Sequence, residues 1–312
     1  MKKLFGPVRK LKSSIKNIGA VKLIFGLALL VAVSTALVSG YIYWNKPERV
    51  SKRVFWGAVN QNLKTSSFSR YSTIKNAGQS SNQQIDVFIT PKQGIHSQTR
   101  FVQTGLDEAE ALTENLGTPH ADYVRYTKIT SSQKNSKGEK YDFSRIIGVW
   151  GGTKEDNNKT NGQQFGQSIL TSIPVGNLTS EQRSRLIKMM QDGKVYEFSK
   201  PQVSRDGMLF RPTYSYTVKL KPVEYVKILK QFGEYVGLNQ LNGLNPDDYK
   251  NVPDTAFQIT VDGWSKTITS IVEPGSSRRE YISGRNALKV MPGIPRDSVN
   301  MSELQSRLQS IE

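Results

Sequence analysis

Residues 23–44, LIFGLALLVAVSTALVSGYIYW, constrain this chain more than any other feature, because 22 consecutive residues carry no charge. At about 1.5 Å per residue, a helix of that length spans the roughly 30 Å hydrocarbon core of a bilayer. Lipid offers the backbone no hydrogen-bond partners, so such a segment must be helical, and Tyr41, Tyr43 and Trp44 fall where an aromatic belt meets the interface. Residues 1–22 hold Lys2, Lys3, Arg9, Lys10, Lys12, Lys16 and Lys22 and no acidic side chain. That asymmetry keeps the N-terminus in the cytoplasm and the rest outside. The alternative is a cleaved signal peptide with Val38-Ser39-Gly40 as the processing site, although typical apolar regions of such peptides run only about 7–15 residues. Either way, residues 45–312 are expected to be extracytoplasmic, and the uncleaved reading makes this a single-pass cell-membrane protein.

No cysteine occurs anywhere, which excludes disulfides and a lipidated cysteine as anchors. The net charge is +17, and setting aside the seven basic residues of the tail leaves +10 on the remainder. Outside the cytoplasm such an excess serves solubility and attraction to anionic headgroups or wall polymers rather than nucleic acid. At 37% hydrophobic residues the chain is globular rather than disordered, and its outer part is long enough for one large or two modest domains.

Along the outer part, Val50, Val54, Ala58, Val59 and Leu63 recur at helical spacing. Short alternating runs follow at 68–75, 85–90, 95–103, 123–129 and 141–150, separated by polar breaks at 76–83, 91–94 and 131–138, as in an antiparallel meander. Residues 151–164, GGTKEDNNKTNGQQ, read as a surface loop or a boundary between lobes. Thr179 with Gln182 three residues on makes a capping box for a helix ending at Gly193. Strands are expected at 195–199 and 208–220, the second after an Arg205-Asp206-Gly207 turn. Pro222 opens another helix, through Gly237, with Val223, Val226, Leu229, Phe232 and Val236 as its apolar stripe. Asp262-Gly263 between 257–261 and 264–272 indicates a type I′ hairpin, and 278–283 a last strand. The tail, 293–312, holds a short helix at 302–311. The fold class expected is α+β: a curved antiparallel half-barrel with helices in its concave face, spanning 45–292 after the transmembrane helix.

Two segments carry a family resemblance: NLKTSSFSRYS (residues 62–72) after a helix and leading into strands, and the late hairpin FQITVDGWSKTITSIV (257–272) with RREYISG (278–284) behind it. In this order of elements the chain resembles the LolA and LppX group of bacterial envelope proteins. That resemblance implies an unclosed β-barrel plugged by helices, in a group of lipoprotein carriers, glycolipid-binding lipoproteins and the stress sensor RseB. It therefore implies a lipid, lipoprotein acyl chain or similar amphiphile as ligand, and a membrane-tethered chain suits local binding better than shuttling. Under that reading Leu186, Met190, Val226, Leu229 and Phe232, on the helices at 179–193 and 222–237, are the candidate cavity lining; filling of the core is the alternative role for the same stripe. A second resemblance, to TcpC-like bitopic scaffolds of conjugation and type IV secretion machines, implies envelope protein partners instead.

Catalytic and metal signatures are not found. No cysteine and no G-x-S-x-G offers a nucleophile, and His96 and His120 lack further ligands at metal spacing. Asp107, Glu108 and Glu110 read as a helix start, Asp247 and Asp248 as turn chemistry, and Gly148, Gly151 and Gly152 lack the lysine of a phosphate loop. The reading is a non-enzymatic binding domain without cofactor. The topology predicts that protease added to intact cells degrades the large C-terminal portion and spares the lysine-rich head; immunoblotting for each end checks this, and the opposite pattern reverses the orientation.

Overall fold

Pro47 presets the first helical turn and Glu48 faces the positive end of its dipole, opening helix α1 (Pro47–Leu63). Its apolar stripe is Val54, Phe55, Ala58, Val59 and Leu63, all buried. The computed structural model describes residues 46–90, 92–105, 107–153, 162–205, 211–273, 278–288 and 290–311. The 23–44 segment, its basic flank and the Asp206-Gly207 turn lie outside the described residues. No helix among the described residues is long and apolar enough to cross a membrane. The chain divides into two compact units, Met1–Arg53 and Val54–Glu312, and the second contains every described strand.

Six strands form a meander after α1: β1 (Ser67–Asn76), β2 (Gln79–Phe88), β3 (Gly94–Gln103), β4 (Ala109–Gly117), β5 (Asp122–Ser131) and β6 (Trp150–Gly152), each antiparallel to the one before. Helices α2 (Gln163–Ile169) and α3 (Ser180–Asp192) come next. Then follow β7 (Tyr196–Phe198), β8 (Gln202–Arg205), β9 (Pro212–Leu220), α4 (Pro222–Val236), β10 (Thr255–Asp262), β11 (Thr267–Val272) and β12 (Arg278–Ser283). The described chain closes with β13 (Val299–Asn300) and α5 (Met301–Gln309).

These strands make one curved, open sheet in the order β13-β6-β5-β4-β3-β2-β1-β12-β11-β10-β9-β7, with β8 also on β9. Only β13 with β6 is parallel among the described pairs. Its two halves meet where β1 pairs with β12, from Ser69 opposite Ser283 to Ile74 opposite Arg278. Register shifts at Leu112/Thr113 and Thr260/Val261 are local irregularities of the kind that bend a sheet.

An open sheet must cover one apolar face, and helices do so here. Helix α2 lies against β2, β3 and β4, and α3 packs on α4. Phe55 of α1 sits in an aromatic cluster, stacked 4.1 Å from Phe198 and edge-on to Tyr196 and Tyr216. The last carbonyls of α1 find partners in a distant segment: Gly176 N–H donates to Asn62 O, and Leu178 N–H to Leu63 O. The Asn62 side-chain amide donates to Ile173 O at 3.2 Å.

Several expectations are met closely. The capping box of α3 has both of its hydrogen bonds, between Thr179 and Gln182. Helix α4 starts at Pro222 and ends on left-handed Gly237, and β12 runs over Arg278–Ser283 as expected. Others need correction. The break at 76–83 is only the turn Ala77-Gly78, with Gly78 at φ 74°, because the polar residues of β2 pair fully with β1. Residues 141–149 are not a strand: the Asp142 carboxylate accepts from Ser144 N–H and Oγ–H and turns the chain. Glu110 begins no helix; it lies in β4, between Arg100 on β3 and Lys128 on β5. The 151–164 loop yields Gly151 and Gly152 to β6 and its last two residues to α2. The Asp-Gly hairpin is not type I′ but a four-residue turn with Lys266 at φ 53°. There the Asp262 carboxylate accepts from Trp264 and Ser265 N–H, and Asp262 O from Lys266 N–H.

Truncating Phe55 removes the centre of the aromatic cluster. Phe55→Ala should lower unfolding stability by about 3–5 kcal/mol, measured by chemical denaturation; a loss under about 1 kcal/mol would mean that the cluster does not hold α1 on the sheet.

Candidate functional site

Helix α2 is short, and its position depends on hydrogen bonds from other elements. Gly162 precedes it with no side chain to cap it. The Asp122 carboxylate on β5 takes over, accepting from Gln163 N–H at 2.8 Å and Gln164 N–H at 3.3 Å. Burial raises the Asp122 pKa, and those two N–H groups partly oppose the rise. Position 162 needs glycine, since a Cβ there would lie 1.8 Å from Thr118 O. Beyond the helix the chain bends through Leu170, Thr171 and Ser172, and two phenols hold it: Tyr225 of α4 donates to Thr171 O, and Tyr196 of β7 to Ser172 O at 2.9 Å. Both rings are deeply placed, and burial pushes both phenol pKa values up, so they remain donors at any physiological pH.

Between this wall and the sheet lies a hollow of about 610 Å³. Helix α2 contributes Gln164, Gln167 and Ser168, and the bend contributes Leu170, Thr171 and Ser172. The sheet contributes apolar Ile85, Ile95 and Ile271 and polar Gln83, Ser97 and Asn115. The seam between β1 and β12 adds charge, with Arg70, Arg278 and Glu280 in the hollow and Glu273 at its exposed rim. Such a space falls within the roughly 300–1,000 Å³ of small-molecule sites.

Arg70 is the unusual member. It points to the same face as Phe68 and Ser72, and its side chain is only 8% exposed. Its nearest carboxylate oxygen, Glu280 Oε2, is 3.9 Å from Nη1, too far for a hydrogen bond. Glu280 is engaged elsewhere, its Oε1 lying 2.7 Å from Arg278 Nη2. The Nε–H of Arg70 has no acceptor among the described residues. Burial lowers the Arg70 pKa, the Glu280 charge partly offsets that, and the Arg278 charge adds to it. Arg285 makes a useful contrast. Burial alone pushes it down to about 10, yet its guanidinium donates to Ile268 O at 2.9 Å and to Thr65 Oγ1 at 3.3 Å. One buried arginine is tied into the structure; the other faces a space.

The five residues expected to line a cavity lie elsewhere. Leu186, Met190, Val226 and Phe232 are buried and Leu229 is half-buried, and none lines this hollow. Phe232 packs so closely on Gly176 that a Cβ there would meet its ring at 2.8 Å. Sequence reasoning missed α2 and Arg70. The available signal was parity: in β1 an arginine occupies the same face as Phe68, where alternation calls for an apolar residue. His96 is occupied on the opposite sheet face, with Nε2 2.9 Å from Glu114, which also binds Arg125. No group of three or more side chains suited to a metal occurs among the described residues.

No protein-family model matches the sequence, and comparison with curated protein sequences finds no relative. Among solved structures, the chain is similar to LprF from Mycobacterium bovis, at 11% identity and a TM-score of 0.39, over 80% of this chain and 97% of that one. It is also similar to a beta-barrel-like protein of domain of unknown function DUF1849 from Brucella abortus, at 8% identity and a TM-score of 0.23, over 71% and 95%.

A buried guanidinium whose nearest counterion is 3.9 Å away recovers only part of its desolvation cost. Arg70→Met should therefore leave stability unchanged or raise it by about 1 kcal/mol or more, read from the denaturation midpoint. A loss above about 2 kcal/mol would make Arg70 a structural residue.

Proposed function

We propose that residues 45–312 form an extracytoplasmic binding domain of the LolA and LppX kind, held at the cell membrane by the 23–44 span, that accepts an amphiphile between its sheet and α2. The ligand is a lipid, a lipoprotein acyl chain or a related molecule, and the role is binding rather than catalysis. One observation carries the reading: the hollow of about 610 Å³, lined by isoleucines of the sheet together with amide, hydroxyl and charged groups from the sheet, α2 and its bend. A lining of that mixture suits a molecule with an apolar and a polar part. The open sheet with helices on one face supports the kinship with that group. In this reading the site lies beneath α2, and Leu186, Met190, Val226, Leu229 and Phe232 give way to residues of β1–β4, β11 and β12.

The full chain, extracted from membranes in mild detergent, should carry a lipid in near-stoichiometric amount, identified by solvent extraction and mass spectrometry. Gln83→Trp, which fills the hollow from the half-buried middle of β2, should remove most of it while the melting temperature holds. Equal lipid content in wild type and variant, or none in either, overturns the reading.

A further inference from the structure

Resting on that reading, the geometry points to a sharper assignment: we propose that Arg70 is the anion subsite of the hollow, taking a phosphate or carboxylate oxygen of the ligand on its Nε–H and neighbouring Nη–H groups.

The other charges lining the hollow have a closer partner or contact with water. Glu280 lies 2.7 Å from Arg278 and 3.9 Å from Arg70, so its hydrogen-bonding contact goes to Arg278. Glu273 is exposed at the rim, where water screens it. Arg70 remains, with its side chain more than nine-tenths buried and no hydrogen-bonded carboxylate. An arginine cannot shed its proton to escape that situation. Its side-on edge, Nε–H beside Nη–H, is the fork that matches two oxygens of a planar carboxylate or of a phosphate. Nε–H of that fork lacks an acceptor among the described residues. The other polar groups around it, Ser97, Asn115, Gln164 and Ser168, are neutral, so none of them competes for the guanidinium as an ion.

The site is also held still. Arg70 stands in the middle of β1, between β2 and β12, with Ile85 and Ile282 directly opposite it. The wall it faces is fixed by Asp122 at one end and by Tyr196 and Tyr225 at the other. A preformed site loses little freedom when an anion enters, and the low-dielectric surroundings strengthen the contact. A neutral headgroup would leave Glu280, at 3.9 Å, as the nearest countercharge.

Native mass spectrometry of the full chain in neutral detergent tests this with four probes: palmitoyl lysophosphatidic acid, palmitate, monopalmitoylglycerol and inorganic phosphate. Wild type should bind the two anionic amphiphiles at least about tenfold more tightly than the neutral one. Arg70→Met should abolish that preference, bringing the anionic amphiphiles down to the affinity it shows for monopalmitoylglycerol, and Arg70→Lys, which keeps the charge and loses the fork, should retain part of it. Equal binding of charged and neutral amphiphiles by wild type overturns the anion subsite and leaves the binding reading intact, as does a preference that survives in a folded Arg70→Met. Arg70-dependent binding of inorganic phosphate without any amphiphile supports the subsite and overturns the amphiphile. Binding of none of the four overturns both.

Discussion

The pairing of β1 with β12 is the constraint on which the rest of the architecture depends. It joins strands more than two hundred residues apart and turns a meander and a later hairpin into one sheet. Without it each half would present an unpaired edge, a row of backbone groups that pairs with whatever comes near. The same register decides the chemistry of the hollow. Ser72 stands opposite Glu280 and Ile74 opposite Arg278, so Glu280 lies diagonal to Arg70 on the shared face. One residue of slip would turn Arg70 to solvent and bring a different set of side chains inside.

What the seam brings together, the helical side must not crush. An open sheet whose apolar face is covered by helices ordinarily closes on a packed core, and near α3 and α4 this one does: Leu186, Met190 and Phe232 are fully buried. Over β2–β4 the covering is a helix of only seven residues, Gln163–Ile169, and it turns glutamines and a serine toward the space. Its own apolar residues, Phe165 and Ile169, are fully buried. The hollow thus follows from the length of α2 and from the polarity of the face it presents, with hydrogen bonds from β5, β7 and α4 holding it in place.

Much of this was written in local pattern. Period-2 alternation located β1, β3, β5 and β10, and capping chemistry located α3 and α4, because those signals act within a few residues. The misses have physical reasons too. β4 reads AEALTENLG, whose Glu110 suggested a helix start; it belongs to a strand, where Arg100 and Lys128 on the two neighbouring strands pair with it. Helix α2 has no side-chain cap of its own, and Asp122, which caps it, is 41 residues away in sequence. No local rule finds such a helix. The hollow was misplaced for the same reason: an apolar stripe marks where a helix packs, and a cavity forms where packing stops. Arg70 was legible only as a violation of parity, and a violated local rule is where function is to be sought.

The composition of the lining bears on how a ligand is held. Four apolar side chains, Ile85, Ile95, Leu170 and Ile271, stand among a larger number of polar ones. Burying a methylene contributes about 0.8 kcal/mol when it leaves water for an apolar surround, and a wall half made of amides and hydroxyls returns less than that for each one. An acyl chain alone is therefore a weak occupant of this space. Under the proposed function, affinity and selectivity come from the polar end, where a hydrogen bond to a charged group contributes about 1.5–3 kcal/mol. The fold holds at its seam a buried guanidinium whose nearest carboxylate oxygen is 3.9 Å away, and under the proposed subsite an anionic occupant stabilises the sheet at the place where its two halves join. Binding and folding then share one interaction.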